Sequence, residues 1–389
     1  LRVLGPGRPE RFNFVEYLHA SGGGDSSSVT DAIMEIVDLA DKRGGKGDKG
    51  NQFFNRYSRR TVASAVDVVS ASGERMSLSA ILDVITGAPQ TPDQADDRKW
   101  RDESRSAYYF QAADDRARGL PEEKRKDYEQ ARGFFFGEYA SLAGETGSSV
   151  RATITSVLDP FSRSPLRELF CTTTTWRPED AFEKGDWLLI DMPTHKYGFA
   201  SSMAQVLIKY AIQKAAQRRV RPDRPCLLVM DECQELMSGN DQQFACVARS
   251  SRVAMLAMTQ NVSNLLRTFG DPDEVNSLVG NFRNKWFFSV DDKPTAELAS
   301  FMAGEAYDVA TGGGQDWDYD PFALFGREKD QRQNLNWREE RRAAVEPAEF
   351  ARLRTGGAHG YAEAVLFSGG RTFSNGLHYL LVKMPQWDV

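Results

Sequence analysis

Cysteine and histidine are scarce in this chain, with four of each in 389 residues. Cys171, Cys226, Cys233 and Cys246 show no metal-ligand spacing, and His19, His195, His359 and His378 lie far apart in sequence, which argues against a zinc site. With Cys226 against an apolar run and Cys233 behind two acids, buried thiols in a reducing compartment are expected rather than disulfides. No apolar run approaches the roughly 20 residues of a membrane-spanning helix. A Gly-x-Ser-x-Gly turn is missing, which leaves Asp191 and His195 without a serine nucleophile of that kind. A phosphate-binding G-x-x-x-x-G-K-[ST] loop is missing too. Gly44-Gly45-Lys46-Gly47 has some of its letters but follows a helical pattern, and Gly5-Pro6-Gly7 has no lysine. The chain opens on Leu1, with neither an initiator methionine nor a signal peptide, and is expected to be part of something longer. A net charge of −6 disfavours a protein coated in nucleic acid, yet is compatible with a local basic channel.

What is present falls into five stretches. Residues 1–28 hold a short apolar stretch, Arg2-Val3-Leu4, then Phe12-Asn13-Phe14 and a Gly/Ser-rich loop. From 29 to 145 the periodicity is helical, with Val29, Ile33, Ile36, Val37 and Ala40 on one face and further sets at Val62–Val69 and Leu78–Ile85. Ser77 is placed to cap the last of these, and Pro121 to start another helix. From 146 to 303 apolar strands alternate with helices: Trp187–Met192, Cys226–Met230, Val253–Met258 and Lys285–Val290, with a long helix over Ser202–Arg218. This pattern predicts an α/β domain with a mostly parallel sheet covered on both faces. The helical stretch then reads as an all-α insertion. Residues 304–345 read as an irregular excursion, and 346–389 as a helix followed by a hairpin around Gly369-Gly370.

The most informative segment is Leu227-Leu228-Val229-Met230-Asp231-Glu232. Two carboxylates closing an apolar strand are costly unless they meet a cation, donors or water. In a phosphate-hydrolysing motor the first holds hydrated Mg²⁺ and the second polarises the attacking water. A strand that simply exits to solvent is the alternative. Gln260, at the end of the next strand, is a candidate sensor of a γ-phosphate; a surface amide is the plainer reading. Arg249 and Arg252 are candidates to reach a neighbouring subunit's phosphates, or else are solvent-facing residues at a helix end.

Taken in order, these segments resemble the type IV secretion coupling proteins, the TraD/TraG-like ATPases of conjugation. The likeness rests on Arg2-Val3-Leu4 with Phe12-Asn13-Phe14, and on "GSSVRATITSVLDPF" (147–161) and "GDWLLIDMP" (185–193). It continues with "CLLVMDECQEL" (226–236), "ARSSRVAMLAMTQNVSNL" (248–265), the 279–305 segment and "VEPAEFARL" (345–353). Cys233 departs from the family's usual phenylalanine.

The resemblance implies a RecA-like P-loop NTPase core interrupted by an all-helical domain, with ATP and Mg²⁺ as cofactors. Asp231, Glu232, Gln260, Arg249 and Arg252 become its candidate catalytic residues, Asp231 and Glu232 its nucleotide contacts and Asp231 its metal ligand. It further implies a homo-hexamer that moves single-stranded DNA or protein–DNA cargo, with relaxosome or effector proteins as partners. Such a motor works as a cytoplasmic domain at the inner face of the cell membrane, joined to the secretion channel through an upstream region. In the family the phosphate loop precedes the segment matching Leu1, so a truncated motor accounts most simply for its absence. The competing expectations are a catalytically inactive or split-motor adaptor and an FtsK/HerA-type DNA translocase. The polypeptide as given is expected to hydrolyse ATP poorly.

Overall fold

The computed structural model describes residues 1–23, 25–43, 52–142, 144–220, 223–315 and 333–386. The Gly44–Gly47 stretch lies outside them. Two compact units emerge, one built from residues 1–260 and 264–281, the other from 261–263 and 282–389. Among the described residues no helix is long and apolar enough to cross a membrane.

The first unit opens with strand β1 (Arg2–Leu4) and helix α1 (Phe14–Ser21). Asn13 starts that helix. Its Oδ1 accepts from the Glu16 amide at 3.2 Å, while its Nδ2 donates to the Met76 carbonyl at 2.9 Å. A fully buried asparagine is tolerable here because both ends of its amide are satisfied.

Helices α2 (Ser27–Arg43), α3 (Gln52–Ser72) and α4 (Leu78–Gly87) follow. After them come α5 (Pro92–Asp96), α6 (Arg98–Glu103), α7 (Arg105–Ala117), α8 (Glu122–Gly133) and α9 (Gly144–Leu158). The predicted faces are the buried ones: Val29, Ile33, Val62, Val66, Val69, Ile81 and Ile85 are all inaccessible to solvent. Ser77 caps α4, its Oγ accepting from the Ala80 amide at 3.2 Å. Pro121 stands at the cap position just before α8. A π-helical turn over Phe134–Tyr139 sends Phe135 edge-on to Phe110 at 5.7 Å, closing an aromatic core.

A short helix follows, α10 (Leu166–Phe170). Next are α11 (Pro178–Glu183), strand β2 (Leu188–Ile190), α12 (Thr194–Tyr197) and α13 (Phe199–Arg218). The last is buried along most of its length, including its polar Ser201, Ser202, Lys209 and Gln213. Strand β3 (Cys226–Met230), α14 (Gly239–Val247), β4 (Val253–Ala257), α15 (Val262–Phe269) and α16 (Pro272–Asn281) complete this part of the chain. β1 pairs with β2 and β3 with β4, both in parallel, the latter in the register Cys226↔Val253 to Met230↔Ala257.

One face of these pairs packs on the core through Leu188, Ile190, Cys226, Leu228 and Met255. The other face is bare: Trp187 is 78% exposed, Leu227 62%, Leu189 and Val229 53%, and Leu256 45%. The expectation of a sheet covered on both faces is therefore corrected. Successive strand side chains alternate faces, and within the described residues only one face receives helices. The four cysteines are free; the expected burial holds for Cys233, whereas Cys171 and Cys226 are partly buried and Cys246 is exposed.

The second unit corrects the expectation of a mostly parallel sheet. Strand β5 (Asn284–Phe287), expected as a fourth parallel strand, pairs antiparallel with β8 (Tyr361–Ser368), which pairs antiparallel with β9 (Tyr379–Pro385). The β8–β9 pair is the expected C-terminal hairpin. Between β5 and β8 lie α17 (Lys293–Ala303), strands β6 (Glu305–Gln315) and β7 (Gln333–Ala343), and α18 (Pro347–Phe350). β6 and β7 form one long antiparallel ribbon where an irregular excursion was expected. The fold as a whole is mixed α/β with helical insertions.

Candidate functional site

The carboxyl ends of β3 and β4 are locked together by main-chain bonds, Met258 N to Met230 O at 2.9 Å and Cys233 N to Met258 O at 2.7 Å. This leaves two residues, Asp231 and Glu232, to make the turn between them. Glu232 makes it in the left-handed region, at φ 48° and ψ 51°. That geometry costs a non-glycine residue about 1 kcal/mol or more and is concentrated at functional sites. The Glu232 amide is met by Asp231 Oδ1 at 3.0 Å.

The Glu232 carboxylate is held at both oxygens. Gln260 Nε2 donates to Oε1 at 2.8 Å and Gln234 Nε2 to Oε2 at 2.6 Å. Those two bonds, from Gln234 first and Gln260 second, pull its pKa below the usual carboxylate range and keep it ionised. Gln234 is oriented in turn by Thr259, whose hydroxyl donates to its Oε1 at 2.8 Å. The buried Cys233 thiol beside them is pushed up to about 12 by desolvation, so it is not a nucleophile.

These acids open onto a cavity of about 510 Å³ lined by Ile190–Thr194, Gln205, Asp231, Glu232 and Gln234–Leu236. Asp191, at the end of β2, is clamped by Arg8, whose Nε and Nη2 lie 2.9 and 2.6 Å from Oδ2. The turn that delivers Arg8 requires glycine at position 5. A Cβ there would stand 2.2 Å from the Asp191 carbonyl oxygen.

Of the residues singled out in the sequence, Asp231, Glu232 and Gln260 come together in this way. Arg249 and Arg252 do not join them. Both fall in the turn after α14, and Arg252 closes the amino end of the strands, its carbonyl accepting from the Cys226 amide at 3.0 Å. Its guanidinium donates to the Asp223 carbonyl at 2.8 Å. The length of β4 puts them about 15 Å or more from the acids.

Gln234 and Arg8 were not anticipated. Gln234 follows Glu232 by two positions, but nothing in sequence marks which amide will turn inward. Arg8 meets Asp191 across 183 residues, a pairing set only by the β1–β2 register.

Among the described residues no group of three or more His, Cys, Asp or Glu side chains converges as a metal cage. A hydrated Mg²⁺ asks for less, one or two carboxylates with water and phosphate completing its shell. The exposed Asp231 beside an ionised Glu232 fits that requirement.

Residues 225–355, about a third of the chain, match the family model described as the TraM recognition site of TraD and TraG. No curated protein sequence matches. Among solved structures, the unbound bacterial conjugative coupling protein TrwB superposes with a TM-score of 0.59 at 16% identity, covering 99% of this chain and 73% of that one. The plasmid coupling protein TrwB with the non-hydrolysable GTP analogue GDPNP gives 0.59 at 15% identity, and its complex with ADP and Mg²⁺ gives 0.58 at 15%, with the same coverage. Over nearly its whole length the chain is similar in fold to the coupling protein TrwB, and its 225–355 segment matches the TraD and TraG family model.

Proposed function

We propose that this chain is part of an ATP-driven coupling-protein motor that moves single-stranded DNA, or DNA with bound protein, in conjugation or type IV secretion. The observation that carries the reading is Glu232, strained, ionised and clamped by Gln260 beside Asp231 at the carboxyl end of parallel strands, where such sheets bind their ligands. When bound, Mg²⁺ with ATP supplies charge neutralisation on the phosphates. Asp231 would hold the hydrated cation, and Glu232, acceptor-only while ionised, would orient and polarise a water. Gln260 ties the position of that carboxylate to the end of β4, so a change at the phosphate end is felt along the strand.

The bare apolar face of β2, β3 and β4 supports the same reading. In water it is a liability of the kind that marks an interaction surface. A further strand and helix carrying a glycine-rich phosphate loop would cover it and reach the cavity. Arg249 and Arg252, remote from their own chain's acids, are proposed to serve a neighbour's phosphates in a homo-hexamer.

The test joins this chain to a segment bearing G-x-x-x-x-G-K-[ST] and measures Mg²⁺-dependent ATP hydrolysis. Glu232→Gln is expected to lower kcat by about 10²-fold or more, with the fold intact by circular dichroism. Hydrolysis that survives the substitution would remove Glu232 from the chemistry and the motor reading with it.

A further inference from the structure

A buried polar network lies beneath the acid turn, none of it used in the proposed chemistry. Lys209, on α13 and 4% exposed, sends its ammonium to the Leu236 carbonyl and to Asp241 Oδ2. Asp241 is fully buried, and its other oxygen accepts from Gln213 Nε2 at 2.7 Å. Its Oδ2 also accepts from the Ser238 amide at 2.7 Å, which caps α14. Asn240 Nδ2 donates to Gln213 Oε1 at 2.6 Å, closing the circuit.

Leu236 lines the cavity and follows Glu232 by four residues. The ammonium thus holds the segment carrying the acids from below. On the far side, Glu35 of α2 reaches the amino end of α14. Its Oε2 lies 3.4 Å from the Asn240 amide, and the Ser238 hydroxyl also faces its carboxyl. Desolvation pushes the Glu35 pKa up, opposed by those two donors, so the carboxyl is held there by specific partners rather than by solvent.

A buried ion pair is weak evidence for stability, because apolar residues of equal volume often do as well. Its better-attested use is to select one arrangement among several. Here that arrangement joins α13, the post-β3 segment and a helix of the inserted domain.

We infer that Lys209 and Glu35 are positioning residues that tie the Asp231–Glu232 turn to the inserted helices, so that movement of one is transmitted to the other. This rests on the proposed role of the two acids for its function, but not for its geometry. Asp241 accepts from Lys209 and the Ser238 amide, Glu35 meets the Asn240 amide and the Ser238 hydroxyl, and the amino end of α14 is the lever between the two sites.

The test is hydrogen exchange by mass spectrometry on the chain as it stands, comparing Glu35→Gln with Asp31→Asn. Asp31 is on the same helix, paired with Arg59 nearer solvent. Glu35→Gln is expected to speed exchange of amides 232–241 by about fivefold, the scale of one lost hydrogen bond, and Asp31→Asn to leave them unchanged. Equal exchange in wild type and Glu35→Gln would overturn the inference, as would equal acceleration in both variants.

In the loop-bearing protein, Glu35→Gln should also lower kcat about fivefold while KM for ATP stays within about twofold. Lys209→Arg should retain more turnover than Lys209→Met. If Glu232→Gln abolishes hydrolysis and Glu35→Gln leaves it untouched, the coupling is wrong and the motor stands. If Glu232→Gln changes nothing, the motor reading fails, and the exchange result still decides the coupling.

Discussion

The helical segment and the parallel strands belong to the same compact unit and treat their apolar residues in opposite ways. In the helices, Ile33, Val62, Val66, Val69, Ile81 and Phe135 are sealed completely, and one continuous core runs from them through α13 to the near face of the strands. On the far face, Trp187, Leu227, Val229 and Leu256 stay exposed. Both regions have the patterning of buried structure, but only the helices complete their own burial. A helix buries one stripe and can find its partners locally, whereas a strand of a parallel sheet has two faces to cover and must recruit a layer for each. The bare face adjoins the acids, so the region least finished as a folding unit is also the one that carries the candidate chemistry.

Four substitutions bear on this contrast. Phe135→Ala, in the completed core, is expected to cost about 3–5 kcal/mol, read as a lowered midpoint in urea. A cost under about 1 kcal/mol would mean that the helices are no better packed than the sheet.

Asp67, on α3, tests the same core through charge. Burial raises its pKa from 3.8 to about 7, with the neighbouring Asp127 and Asp25 adding to the shift and Ser26 and Lys124 opposing it. Between those values the folded state binds more protons than the unfolded one, so stability falls as pH rises through the window. Asp67→Asn removes the penalty and should stabilise the protein by about 2–4 kcal/mol at pH 8 and by little near pH 4. Thermal melts of both proteins across that range would show it. Parallel pH curves would mean that Asp67 is better solvated than its position implies.

On the strand side, Gly5→Ala forces a Cβ against the Asp191 carbonyl and should cost about 1–3 kcal/mol, with the Arg8–Asp191 contact displaced. A crystal structure of the variant with that contact intact would show that the turn can yield. Leu227→Ser should change stability by less than about 0.5 kcal/mol while reducing binding of a hydrophobic dye. A loss like that of Phe135→Ala would mean that the face is already covered in solution.

Sequence patterning revealed the helices well, because a 3.6-residue apolar repeat needs no knowledge of the partner. Ser77 was legible for the same reason, since a cap acts on residues three positions away. The acids and Gln260 stood out because polar groups closing apolar strands are unusual. Asn13, Gln234 and Arg8 were invisible, for each acts through a partner selected by packing: Met76, Glu232 and Asp191. Strand direction was misjudged at β5 because an apolar run carries no sign of whether its neighbour runs with it or against it. The β6–β7 ribbon was missed because its glycines and charges weaken the alternation that marks a strand.

The sequence by itself determined where the amphipathic helices of the inserted segment form, which of their faces turn inward, and that two carboxylates end an apolar strand, since each of these depends on residues within a few positions of one another. Only the tertiary structure decided that Glu232 is clamped by two amides, that Lys209 and Asp241 pair beneath it, that the arginines stand at the other end of the strands, and that one sheet face remains bare. Those outcomes depend on which distant segments meet, and the apolar pattern of a segment does not name its partner.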